Sequence, residues 1–178
     1  VAKILTVHND TSAPASLNGM KATAARLQQV IREALAAGKR IRAVGAHWSF
    51  SDIPAVTNGW IIETLKLDWR FVFGAADMHS QASVTHEELL LCQCGTPISR
   101  INETLESPNS VFPTSQRRRA LRTSGASNGQ TIAGALGTGI HGSSIDVGGL
   151  VAGADAPQIR VQRAADGHAR RGVPVLHG

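Results

Sequence analysis

The chain has 178 residues, a formal net charge of +5, 42% hydrophobic and 17% charged side chains, a balance that excludes a disordered polymer and fits a soluble globular protein. Its length suits one ordinary domain, or one large domain cut short. No apolar run approaches the roughly 18–20 residues needed to cross a bilayer, and Val1–Asp10 lacks the basic-then-apolar layout of a secretory leader, so a cytoplasmic protein without a membrane partner is expected.

The first predicted element is a helix over Ala24–Ala37. Leu27, Val30, Ile31, Ala34 and Leu35 follow helical spacing, with Arg32 and Glu33 on the other side. Gly38 is its natural stop, and Lys39 and Arg40 suit the negative end of the helix dipole. Ile41–Val44 then reads as a short strand ending at Gly45, Trp60–Ile62 as a second, and Glu87–Cys94 as a third. Cys92 and Cys94 are two apart on that strand, so both thiols are expected to share a face and pack. No second pair of cysteines exists to complete a zinc site, and no metal is expected.

After Gly95 a second helix is predicted, with Thr96 as its cap, Pro97 in its first turn, and Ile98, Ile101 and Leu105 as its buried stripe. Ser107–Ser115 reads as a loop and the basic run Gln116–Arg122 as a solvated turn. Residues 158–178 show neither a strand nor a helix period and find no place in a core. The element order is that of an α+β or α/β protein rather than a bundle or a sandwich.

Two segments are candidates for chemistry. The first is Arg42-Ala43-Val44-Gly45-Ala46-His47-Trp48-Ser49-Phe50-Ser51, a strand entering a small-residue turn followed by hydroxyls. Backbone N–H groups in such a turn can form a concave nest for phosphate oxygens; the same residues also fit a plain turn that puts Trp48 and Phe50 in the core. The second segment is Thr123–Gly142, with glycines at 125, 129, 134, 137, 139 and 142 among small side chains. Its interleaved Ile132, Ala133, Ala135 and Leu136 argue against a free linker and for backbone packed against a flat ligand. Gly137–Gly142 matches the dinucleotide fingerprint G-x-G-x-x-G in letters only, since no buried strand precedes it and no helix follows it. A triphosphate P-loop is excluded because no Gly-Lys-Ser/Thr occurs.

Taken together, the Gly45–Ser51 loop and the stretch Ser124–Ser143 resemble the FAD-binding domain of the vanillyl-alcohol-oxidase/PCMH flavoprotein superfamily. The nearest branch is that of the sugar-lactone and alditol oxidases, with their Gly-x-x-His-Ser-Phe loop and Thr-Gly-Thr-His-Gly motif. The resemblance covers Ala22–Gly149 and is strongest over Gln130–Ser143. It implies an α+β fold, a PCMH-type domain of two α/β subdomains incomplete at its C-terminus, over residues 1–150, with 151–178 as an unassigned tail and no substrate domain. It implies that Gly45, Ala46, His47, Trp48, Ser49 and Phe50 wrap the FAD pyrophosphate. Thr131, Gly134, Thr138, Gly139, Ile140 and His141 are implied to lie against the flavin and ribityl chain. The activity implied is oxidation of a small-molecule alcohol (polyol, sugar or lactone-type) by hydride transfer to FAD, the catalytic residues being unassigned.

The chain departs from the family in two places. Many members carry, just before Ser-Phe, a histidine covalently tied to the flavin. Here that position is Trp48 and the histidine is His47, so non-covalent FAD is expected, since one residue's shift turns a side chain to the other face. The family's later Gly-Gly-x-x-Asn-Phe-Gly segment is also absent, which leads us to expect a chain interrupted near residue 150, with a partner chain as one way to supply the missing half. One alternative is a degenerate flavin-binding module without turnover. Another is a basic nucleic-acid-binding protein, supported by net charge and one arginine run only; no aromatic residue is interleaved there, and no nucleic acid is expected.

Overall fold

The computed structural model describes residues 2–10, 15–82, 85–86, 89–106, 119–121, 123–141, 143 and 161–163. Its first layer is a parallel sheet of three strands, β1 (Lys3–Thr6), β2 (Ile41–Val44) and β3 (Trp60–Glu63), in the order β1-β3-β2. Helix α1 (Leu17–Ala36) connects β1 to β2, which leaves the central place for β3. In register, Leu5, Ile62 and Ala43 share one face, while Ile4, Ile61 and Arg42 share the other. Leu5, Ile62 and Ile41 meet Val30 and Leu27 of α1 in a core that also takes in Val7, Leu67 and Cys94. Ile4, on the opposite face, is 60% exposed.

The helix begins earlier than its apolar spacing predicts. Ser16 caps it, its hydroxyl accepting the Gly19 N–H at 3.1 Å. The stripe is also narrower: Thr23, Val30 and Ala34 are buried and Leu27 half-buried, while Leu35 is 70% exposed and Ile31 is exposed as well. The sheet is only three strands wide, and the flank holding Ile31 and Leu35 finds nothing to bury against among the described residues. The stop falls where glycine predicts it. Gly38 has φ +62°, its N–H reaches Leu35 O at 3.0 Å, and the Lys39 N–H reaches Ala34 O at 2.8 Å, the paired bonds of a left-handed helix stop.

The second layer pairs β4 (Arg70–Val72) with β5 (Leu90–Cys92) antiparallel, and adds helices α2 (Ile98–Glu106) and α3 (Ile132–Gly137). Ile98, Ile101 and Leu105 are buried, as their spacing predicts, and pack with Leu121, Ile132 and Ala135. The predicted strand over Glu87–Cys94 shortens to Leu90–Cys92 among the described residues, because the chain then turns sharply. Gly95 donates to Leu67 O at 2.9 Å and has no room for a side chain, since a Cβ would lie 1.7 Å from Thr64 O. The thiols therefore part: Cys92 packs against the core of α2 and α3, Cys94 against that of α1. Thr96 is fully buried but does not cap α2 with its hydroxyl, which has no partner among the described residues.

Between the two layers, the side chains of Asn9 and Gln93 exchange hydrogen bonds. Asn9 Nδ2 donates to Gln93 Oε1 at 2.7 Å and Gln93 Nε2 to Asn9 Oδ1 at 2.8 Å. Asn9 also accepts from the buried Thr23 hydroxyl and donates to Lys66 O, and Gln93 accepts from the Trp69 N–H. Within the predicted basic turn, Arg119–Leu121 forms β6, antiparallel to β7 (Val161–Arg163), and Leu121 is buried. β7 lies inside the stretch whose pattern predicts no strand. Three residues are too few to register as a period. The loop Ser107–Ser115 lies outside the described residues. Helices and mixed parallel and antiparallel strands make the chain an α+β protein.

Candidate ligand-binding site

A cavity of about 290 Å³ opens where β2 ends, between the loop that follows it and the start of the glycine-rich segment. Ala43, Val44, Gly45, Ala46, His47, Trp48, Ser49 and Pro54 line one side, and Gln130, Thr131, Gly134, Thr138 and Ile140 the other. The strand end is fixed by Thr64, whose backbone N–H (2.9 Å) and hydroxyl (3.0 Å) both donate to Val44 O. The glycine segment is fixed to α2: the Ile98 N–H donates to Gln130 O at 2.9 Å, the Ser99 N–H to Asn128 O at 2.8 Å, and the Ile132 N–H to Thr96 O at 2.8 Å. The carbonyls of Asn128 and Gln130 thus satisfy the first N–H groups of α2.

The two walls meet at glycines. A Cβ on Gly45 would lie 2.3 Å from Thr131 Oγ1, and one on Gly129 would lie 2.3 Å from Cζ2 of Trp48. A third such contact, of Gly125 (φ +73°) with Ile140 Cγ2, would also be 2.3 Å. Each is a place where any other residue forces a side chain or backbone to shift. His47 sits in the left-handed region with φ +56°, which sets the loop's direction into Trp48. Its Nε2 is 4.0 Å from Oε1 of Glu63, an exposed pair whose other carboxylate oxygen accepts from the Thr6 hydroxyl at 2.7 Å.

Most of the residues singled out by sequence line this cavity, and three do not. Phe50 is fully exposed, which together with a half-exposed Trp48 also removes the alternative that both belong to the core. Gly139 instead ends α3: it has φ +62° and its N–H reaches Leu136 O, while the Ile140 N–H reaches Ala135 O at 3.0 Å. His141 is exposed beyond that stop. Because Gly137 is the last residue of α3, the G-x-G-x-x-G letters begin at the end of a helix, not after a strand, in keeping with the rejection of a nicotinamide site.

Sequence reasoning missed Ala43, Val44, Pro54 and Gln130. The strand residues could have been found from their step before Gly45; Pro54 carries no such signal. Gln130 is the most telling, because its side-chain carbonyl is shielded from solvent and has no hydrogen-bond partner among the described residues. Among the described residues no cluster of His, Cys, Asp or Glu could hold a metal ion, and no helix is long and apolar enough to cross a membrane.

No family model matches the chain. It is 32% identical over 123 residues to a Neurospora crassa protein provisionally named D-arabinono-1,4-lactone oxidase, a match covering 68% of this chain and 18% of that one. It is 30% identical over 129 residues to a D-arabinono-1,4-lactone oxidase of Yarrowia lipolytica, covering 72% of this chain and 22% of the relative. A cholesterol oxidase from B. sterolicum has a TM-score of 0.47 at 19% identity, over 66% of this chain and 20% of that structure. The chain therefore spans about a fifth of the length of the curated relatives it matches. Those relatives support the resemblance to the vanillyl-alcohol-oxidase/PCMH flavoprotein superfamily that the two loops forming the cavity carry.

Proposed function

We propose that the cavity takes up part of an FAD molecule, held without a covalent bond, and that the whole protein oxidises a small alcohol of the polyol, sugar or lactone type. When bound, FAD supplies the acceptor for the hydride taken from that alcohol. The observation that carries the reading is the meeting of the two motif segments on one cavity, with Gly45 seated against Thr131 and Gly129 against Trp48. The fit is chemical as well as steric. Small residues allow close backbone approach, Ser49 offers a hydroxyl, and the unpartnered Gln130 carbonyl lies beside the cavity. At about 290 Å³ the cavity is at the lower edge of the range for small-molecule sites, which suits one portion of a dinucleotide.

In this reading the chain's own residues bind and orient, and residues 1–150 form part of an FAD-binding domain of two subdomains. The loop from Gly45 to Ser49 receives the pyrophosphate, while Thr131, Gly134, Thr138 and Ile140 face the flavin and ribityl chain. Trp48 stands where the family's covalent histidine would be, and His47, one residue earlier, approaches Glu63 at 4.0 Å, which supports a cofactor held without a covalent bond. The test is to add excess FAD to the purified chain, desalt it, record the visible spectrum, and then precipitate the protein with acid. A retained flavin band that passes into the supernatant is the expected result. A colourless protein after desalting overturns the binding site, and flavin that stays in the pellet overturns non-covalent attachment.

A further inference from the structure

Trp48 is 51% exposed yet fixed in place. The Cε2–Cζ2 edge and Nε1 of its indole sit on Gly129, where a Cβ would lie 2.6, 2.3 and 2.9 Å from those atoms. Gly129 is itself held between two anchored residues, since Asn128 O and Gln130 O each accept an N–H from the first turn of α2. One edge of the ring thus rests on a rigid seat, and the residue lines the cavity. A large planar side chain so placed loses little freedom when a ligand arrives and offers a flat apolar surface next to it.

We infer that Trp48 is a positioning residue that stacks on a planar ring of the bound dinucleotide, and that Gly129 sets where the ring stands. The inference rests on the FAD reading above but is separable from it. An indole on a fixed glycine seat also makes a specific demand: a methyl group at residue 129 must push the ring away, so the two positions act on ligand affinity through one contact.

The experiment titrates FAD into the full chain and into Trp48→Leu, Trp48→Phe, Gly129→Ala and the double variant Trp48→Leu/Gly129→Ala, alongside melting curves without ligand. Trp48→Leu is expected to weaken FAD binding by roughly 5- to 150-fold, the usual range for loss of one ring stack, with Trp48→Phe affected less. Gly129→Ala is expected to weaken binding on its own but to add nothing once Trp48 is leucine. Bound FAD should quench a share of tryptophan fluorescence in the natural chain that is missing in Trp48→Phe. Unchanged or tighter binding by a folded Trp48→Leu, or independent losses in the double variant, overturns the inference and leaves the FAD site standing. Failure of the natural chain to bind FAD overturns both.

Discussion

Gly45 shows how a single residue without a side chain can hold a site together. A Cβ there would meet Thr131 at Oγ1 (2.3 Å), Cγ2 (2.9 Å) and Cβ (3.2 Å), and Thr131 is itself buried. Neither wall can yield freely, since Val44 O is held twice by Thr64 and Thr131 pairs in an isolated bridge with Pro97. Gly45→Ala is therefore expected to cost about 1–3 kcal/mol of stability, as overpacking of a tight site does, and to weaken FAD binding as well. Adding Thr131→Ala removes the two closest atoms and should recover part of the stability. Urea melts of the single and double variants decide it, and a Gly45→Ala chain of unaltered midpoint would show that the contact is slack.

At the scale of elements, the amide pair Asn9–Gln93 joins the chain just after β1 to the turn after β5, and through Thr23 to α1. Asn9→Ala leaves the Gln93 amide nitrogen without its acceptor in a mostly buried place, while Gln93 Oε1 keeps the Trp69 N–H and the Thr23 hydroxyl keeps Gly19 O. The expected loss is roughly 1–3 kcal/mol, from the buried donor left unsatisfied. Equilibrium denaturation measures it directly, and a change within experimental scatter would show that water replaces Asn9 at no cost.

This tie also marks the limit of what the sequence shows. The stops and stripes of α1 and α2 were legible because each is local: Gly38 after an apolar run, or Ile98, Ile101 and Leu105 at helical spacing. The cavity was legible through its glycines and the hydroxyls beside them. Asn9 and Gln93 were not, since neither residue's neighbours say that an amide 84 positions away will complete it. Nor were β1 and β4 legible. Lys3–Thr6 and Arg70–Val72 are strands because of what lies beside them, β3 and β5, and short strands carry no period of their own. The glycine segment was read as ligand-facing backbone, and its helix α3 was hidden by glycines that ordinarily weaken helices.

For the whole molecule, the turn after β5 is where the two cores meet, with a cysteine in each. Burial pushes the Cys92 thiol up from 9.0 to about 12, against a smaller downward pull from Arg70. Burial also raises Cys94, eased by hydrogen bonds from the backbone at Cys94 and Gly95 and by Thr64. In the unfolded chain both thiols ionise near pH ~8.5, so above that value the unfolded state gives up protons that the folded state retains. The stabilisation from a protonated Cys92 is thus whole only below about pH 8.5 and is lost as the pH rises toward 12. Denaturation midpoints should hold steady from pH 7 to 8.5 and fall between pH 9 and 11, and Cys92→Ala should flatten that fall. A Cys92→Ala chain with the same alkaline slope would assign the loss to other groups.

The three glycine seats have a consequence for how such a sequence can drift. Gly45 accommodates Thr131, Gly129 accommodates Trp48, and Gly125 accommodates Ile140, each across a gap too narrow for one more carbon atom. A lineage can enlarge one member of a pair only after the other has shrunk. Position 129 is therefore nearly barred from gaining a side chain while residue 48 stays tryptophan. Where residue 48 becomes small, residue 129 is released to carry a side chain, and the order of those two steps runs one way.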